Sequence, residues 1–359
     1  MRRVIASSIA FFGLAVPASS HPVPFSYLDV HIQDRAVEMT VVVHTFDVAH
    51  DLDVQPPERL LQPGVLSAQG DAIVALVKSR LQLRSNGQSL GDGVWSQPIA
   101  LMDRQSLELR ARFDSDATPG ALQLQTLMFP YDPVHQSFIN FYERGAIATQ
   151  AILDRDRTTV RFYASSPRGV WAVAREFVPA GARHILTGFD HLIFLFGLLL
   201  LGGTMRHLVL VVSAFTVAQI ITLALAALNV VTPSLRFVEP GLALSIIFVG
   251  ADNLMVRGGR DVRAWIAAAF GVIHGFGYAG VLRGLNLSRL ATSWSVLSFN
   301  LGVEVAQLVV VFVVALTLEA LRSRSEVAGR RLAFAGSILV IATGTVWFIQ
   351  RVFFPGGMA

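Results

Sequence analysis

Residues 182–203 read ARHILTGFDHLIFLFGLLLLGG, a run apolar enough to cross a bilayer that nevertheless carries His184, Asp190 and His191 in its first half. A helix spans about 30 Å of hydrocarbon with roughly 20 apolar residues. An ionisable side chain such as Asp190 within that run costs about 2.5–3.5 kcal/mol on insertion scales, so such groups face a bundle interior and mark an ion or substrate path. The alternative is a buried hydrogen-bond network that only ties helices together.

Five more apolar segments follow, giving six at about 184–203, 208–228, 238–256, 264–282, 294–321 and 333–354, joined by short loops. The expectation is an all-α polytopic membrane bundle of about six transmembrane helices over 182–356, preceded by a mainly β, sandwich-like extracytoplasmic domain over 21–178. Composition agrees: 53% of residues are hydrophobic and only 15% charged, which excludes an ordinary soluble protein. The net charge of +4 is spread over the N-terminal half and the short loops, so no nucleic-acid partner is expected. There is no cysteine, so any metal chemistry rests on His, Asp, Glu and amides rather than thiolates.

The N-terminus has the form of a secretory signal peptide over residues 1–20. Met1-Arg2-Arg3 is basic, Val4 to Val16 is a short apolar core, and Ala18-Ser19-Ser20 offers small residues for cleavage. A cut after Ser20 leaves His21 as a new terminus able to chelate a metal through amine and imidazole; the other reading is an incidental histidine. From about Ser26 to Glu176 the apolar residues alternate with period two, as in Leu28, Val30 and Ile32 and then Val37, Met39, Val41 and Val43 across a polar turn. Residues 63–78 read as one helical insertion. His31, His44 and His50 near the first hairpin are read as solvated or hydrogen-bonded rather than metal-capturing.

An exported N-terminal domain sends the first span inward. The loops then cytoplasmic carry Arg206, Arg257, Arg260, Arg263, Arg322, Arg324, Arg330 and Arg331, against Arg236, Arg283, Arg289 and Arg351 on the other side, in accord with the positive-inside rule. At ~1.5 Å per residue, Asp190 and His191 lie roughly 10 Å from the outer surface, Gln219 and His274 roughly 12–14 Å, and Asn300 and Glu304 roughly 9 and 15 Å. One polar layer across four helices results, with a donor set suited to nickel, cobalt or zinc. Gly271 and Gly275 flank His274 as a small-xxx-small pair that allows close helix contact. His184 and His191 sit seven residues apart, ~10.5 Å along a regular helix. Either Gly188 marks an unwound turn, or His184 is an outer station and Asp190-His191 an inner one; two stations are the favoured expectation, with Asp190 orienting the His191 ring.

The H-x-x-x-x-x-D-H pattern of His184, Asp190 and His191, FGVIHGFGYA around His274 and FNLGVEVAQL around Asn300 and Glu304 together resemble the HupE/UreJ family, over about residues 180–355. The second span has Gln219 where that family's branch with an extracytoplasmic domain often has histidine, and Gly271 and Tyr278 stand where polar residues are expected. The resemblance implies a multi-pass protein of a bacterial inner membrane that carries a divalent metal, nickel foremost, as transported substrate. Metalloenzyme maturation proteins are the implied partners. His184, Asp190, His191, Gln219, His274, Asn300 and Glu304 are then the expected metal-binding residues. No prosthetic group and no enzymatic activity are expected. The chain has no G-x-x-x-x-G-K-[ST] or H-E-x-x-H pattern, which argues against a self-contained ATPase or a zinc-dependent intramembrane hydrolase. The competing expectation is a membrane-anchored accessory or sensor protein whose β-domain binds a partner or ligand while the helices merely hold it.

Overall fold

The computed structural model describes residues 25–255, 261–285 and 287–354; the expected signal peptide, His21, Arg257 and Arg260 lie outside the described residues. In chain order the first part contains β1 (Phe25–Ile32), β2 (Ala36–His44), α1 (Thr45–Asp51), α2 (Pro63–Ser79), β3 (Leu81–Ser85), β4 (Gln88–Ser89), β5 (Val94–Trp95), β6 (Ile99–Leu101), β7 (Ser106–Asp114), β8 (Ala121–Thr126), β9 (Gln136–Glu143), β10 (Ala146–Leu153) and β11 (Thr159–Tyr163).

Two sheets form. The larger runs β10-β9-β1-β2-β7-β5 with β6 also on β7, and the smaller runs β11-β8-β3-β4. Alternation places Leu28, Val30, Val41, Leu107 and Phe141 of one sheet and Leu83, Leu122, Leu124 and Phe162 of the other in a single apolar core. Across that core Phe141 and Phe162 stack with ring centroids 5.0 Å apart. This is the expected sandwich, with α2 as the expected helical insertion. One helix was not expected: α1 begins where His44 ends β2, and the His44 ring accepts from Phe46 N to cap it. The pairing β1·β9 is parallel, with Ser26 opposite Ser137, and brings His135 at the foot of β9 against Ser26.

The second part is helical: α3 (Pro167–Thr187), α4 (Phe189–Leu199), α5 (Met205–Ala227), α6 (Leu235–Met255), α7 (Arg263–Gly277), α8 (Ala279–Gly284), α9 (Arg289–Arg324) and α10 (Glu326–Phe353). Among the described residues, five helical stretches are long and apolar enough to cross a membrane, counting α7 with α8, and α3 with α4 forms a sixth that is bent by 70°. The outward faces support this reading. On α9, Leu297, Leu301, Val305, Val309 and Val313 are all more than half exposed at four-residue spacing, while Phe299, Asn300, Val303, Ala306 and Gln307 are buried on the opposite side. Such an apolar stripe is unfavourable in water and at ease in hydrocarbon. The protein is therefore a β-domain followed by a multi-pass membrane bundle.

The first span departs from a regular helix over 184–203. Helix α3 starts at Pro167, directly after β11, and breaks at Gly188. Glycine also sets the helix spacing elsewhere. A Cβ at Gly181 would fall 1.9 Å from Phe299 O, and one at Gly302 would fall 1.9 Å from Val178 O, so α3 and α9 touch backbone to backbone. The expected close contact at Gly271 and Gly275 is made against α5, where added Cβ atoms would lie 2.3 Å from Phe215 O and 2.0 Å from Thr222 Oγ1.

Candidate metal centre in the helical bundle

The break at Gly188 decides the geometry of the site. Its φ and ψ of −78° and 97° are extended and open to any residue, so space rather than conformation selects glycine here. A Cβ would stand 2.7 Å from His184 O and 3.0 Å from His191 Nδ1. With the chain turned by 70°, the seven-residue spacing no longer separates the two histidines. Their ring centroids lie 4.6 Å apart. The two-station expectation is thereby overturned, because the ~10.5 Å separation holds only for an unbroken helix, and the other reading, an unwound turn at Gly188, describes the structure.

From α7, His274 joins the same group, with its ring 5.3 Å from His191. Phe194 and Phe215 pack on His274 at 5.1 Å each. His274 is 3% exposed and His191 9%. Three imidazoles thus meet where α3, α4 and α7 converge.

Hydrogen bonds indicate which ring nitrogen is free. Ser245 on α6 donates to Leu242 O at 2.7 Å, so towards His274 Nε2, 3.1 Å away, its oxygen acts as acceptor. His274 then carries its proton on Nε2 and keeps the Nδ1 lone pair, and Nδ1 is a buried atom with no hydrogen-bond partner. His191 is oriented in the same manner. Its Nδ1 lies 2.9 Å from Asp190 Oδ1, a carboxylate that can only accept, so Nε2 carries the free lone pair. Asp190 Oδ2 faces Arg351 Nη2 on α10 at 3.3 Å, and the same guanidinium donates to Glu239 O.

The remaining expected residues are buried or half-buried on α5 and α9. Ser213 donates to Glu304 at 2.6 Å and Thr216 to Gln307 at 2.8 Å, forming a polar seam between the two helices. Asn300 donates to Val296 O. Gln219 Oε1, Asn300 Oδ1 and Glu304 Oε2 have no hydrogen-bond partner and are shielded from solvent. Among the described residues, no hydrogen bond joins Gln219, Asn300 or Glu304 to the histidines. A cavity of about 10 Å³, room for roughly one water, touches both His191 and Gln307 and links the histidine group to the seam. Unpartnered buried acceptors are costly. Four of them, Gln219 Oε1, His274 Nδ1, Asn300 Oδ1 and Glu304 Oε2, lie on α5, α7 and α9.

Four participants escaped the sequence reading: Ser245, Arg351, Gln307 and the ring of Tyr278, which stacks on Phe299 at 4.2 Å and lies 4.8 Å from His184. Gln307 was accessible to inspection, since positions 300, 304 and 307 share one helical face. Ser245 and Arg351 were not, because their partners are remote in sequence. Of the histidines near the first hairpin, His31 stacks on Tyr142, His44 caps α1, and His50 stacks on Tyr131 and bonds to Asp51.

No curated protein matches this chain. The sequence model for HupE / UreJ proteins matches residues 161–351, from the last strand of the β-domain through the described membrane helices to Arg351 and including His184, His191 and His274, and the chain belongs to the HupE / UreJ protein family.

Proposed function

We propose that the chain is a secondary permease for a divalent transition-metal cation, nickel foremost with cobalt or zinc as alternatives, acting in the bacterial inner membrane with its β-domain and C-terminus outside the cytoplasm. One observation carries this reading: His184, His191 and His274 come together at a helix break inside the apolar bundle, beside a carboxylate. Imidazoles and a carboxylate without thiols are a borderline-metal donor set. In this reading the ion meets the three rings first, with Asp190 holding the His191 ring and contributing charge. Arg351 is a tethered cation on Asp190, so an incoming ion competes with it for the carboxylate. From His191 the path continues to the Ser213–Glu304 and Thr216–Gln307 seam. For an inward-moving divalent ion the membrane potential contributes ~4.6 kcal/mol per 100 mV, twice the ~2.3 per unit charge.

The test is metal accumulation in cells expressing the chain. Asp190→Asn keeps size and hydrogen bonding but removes the charge that offsets a dehydrated ion, and His191→Ala removes a donor. Each is expected to lower accumulation at least about tenfold at equal membrane abundance. Because His184 shares the group, His184→Ala should lose uptake at high as well as low metal concentration. If Asp190→Asn and His191→Ala both accumulate metal like the parent, neither side chain is part of an ion path and the permease reading loses its main support.

A further inference from the structure

A second donor group lies inside the β-domain. Asp47 on α1 meets Asp132 and His135 from the loop between β8 and β9, with one ligand atom from each lying within 4.8 Å of the others. The Asp47 and His135 side chains are 0% and 2% exposed. Asp47 Oδ1 accepts from the Tyr131 hydroxyl at 2.5 Å, and His135 Nε2 is bonded to Ser26 Oγ at 3.0 Å. The atoms left over are Asp47 Oδ2 and His135 Nδ1, which are buried, without hydrogen-bond partners, and 3.6 Å apart.

That separation is too long for a hydrogen bond. It suits two ligands of one ion: atoms bound at ~2.0–2.1 Å at a tetrahedral angle lie roughly 3.4 Å from each other. The neighbouring cation does not fill the role, since Arg80 is engaged by Asp51 and by Met128 O. Asp132 is partly exposed and faces the same point, giving the group a route to solvent.

We infer that Asp47, Asp132 and His135 form a binding site in the β-domain for a divalent first-row transition-metal ion. The Tyr131 hydroxyl fixes the Asp47 carboxylate, and Ser26 fixes the His135 ring through the parallel pairing of β1 and β9. Such outer contacts orient ligands in metal sites generally. The site concerns the β-domain alone and stands whether or not the helices transport metal.

The experiment uses the full chain in detergent, stripped with chelator and then dialysed against Co²⁺, with bound metal measured by mass spectrometry and the visible cobalt bands recorded. A His191→Ala background removes the bundle's contribution, so failure of the permease reading and failure of this one separate. In that background one equivalent of cobalt is expected to remain. His135→Gln, which keeps a polar side chain beside Ser26, should abolish it, and Asp132→Asn, at a partly exposed position, should weaken it tenfold or more. No cobalt bound in the His191→Ala chain overturns the inference. So does a full equivalent with unchanged affinity and bands in both β-domain variants.

Discussion

At His274 the two ring nitrogens have separate tasks. Nε2 is engaged by a serine whose own proton is committed to Leu242 O, and Nδ1 keeps its lone pair in a pocket walled by Phe194 and Phe215. His191 divides its nitrogens in the opposite sense, with Asp190 holding Nδ1. Rings held in this way would not need to turn to meet an ion. Gln219 is the residue at which composition tunes the proposed path. It is 1% exposed and its Oε1 is unpartnered, a weak oxygen donor within the bundle. Gln219→His supplies a stronger donor for borderline metals. Transport is expected to persist with tighter binding or altered preference among nickel, cobalt and zinc, read from competition uptake with each metal. Unchanged affinity and preference across all three would remove Gln219 from the path.

At the scale of elements, the bend between α3 and α4 is the feature on which the site depends. The amide of Gly188 still bonds to His184 O, so α3 closes properly before the chain turns. Gly188→Ala would place a methyl group against His184 O and His191 Nδ1. The first contact is backbone and the second is a ring held by Asp190, so neither yields without moving a donor. Metal affinity is expected to fall about 10–100-fold, as when an outer partner of a ligand is lost, while membrane abundance is retained. Isothermal titration of the purified chain measures it, and parental affinity in Gly188→Ala would mean the bend tolerates a side chain and does not set ligand positions. At the far end of α4, Arg263 donates to Leu198 O and Arg322 to Leu200 O, satisfying carbonyls that the helix terminus leaves open. Arg351 lies instead beside Asp190, at the beginning of α4. The arginines thus sort to opposite ends of one helix.

Across the whole molecule, β-domain and bundle are joined by a helix rather than a loose tether. α3 leaves the smaller sheet after β11, with Arg161 and Tyr163 of that strand both bonded to Glu176 on the helix. Further along, α3 packs against α9 through Gly181 and Gly302. The β-domain is consequently held close to the end of the bundle that carries the histidines. If the domain is exported, Ala359 lies on the same side after an even number of crossings. A reporter that is active only outside the cytoplasm, fused at Ala359, should be active; activity solely from a cytoplasmic reporter at that position would reverse the proposed topology.

Hydropathy, two-residue alternation and the arginine distribution were legible from the residues because each depends on neighbours a few positions apart. They sufficed for a β-domain, an insertion at α2 and a multi-pass bundle. The H-x-x-x-x-x-D-H spacing identified His184, Asp190 and His191 as a set, but a spacing has meaning only on a known backbone path. On a regular helix it separates the two rings, and the 70° turn at Gly188 brings them to 4.6 Å. Nor did any local pattern reveal that Ser245 would set the proton on His274, that Arg351 would reach Asp190 across 161 positions, or that Asp47 would meet His135. Those contacts were decided by tertiary structure alone, since they arise where helices cross at glycines and where a parallel strand pairing closes the sandwich. Burial then leaves each polar atom only the partners that the fold delivers.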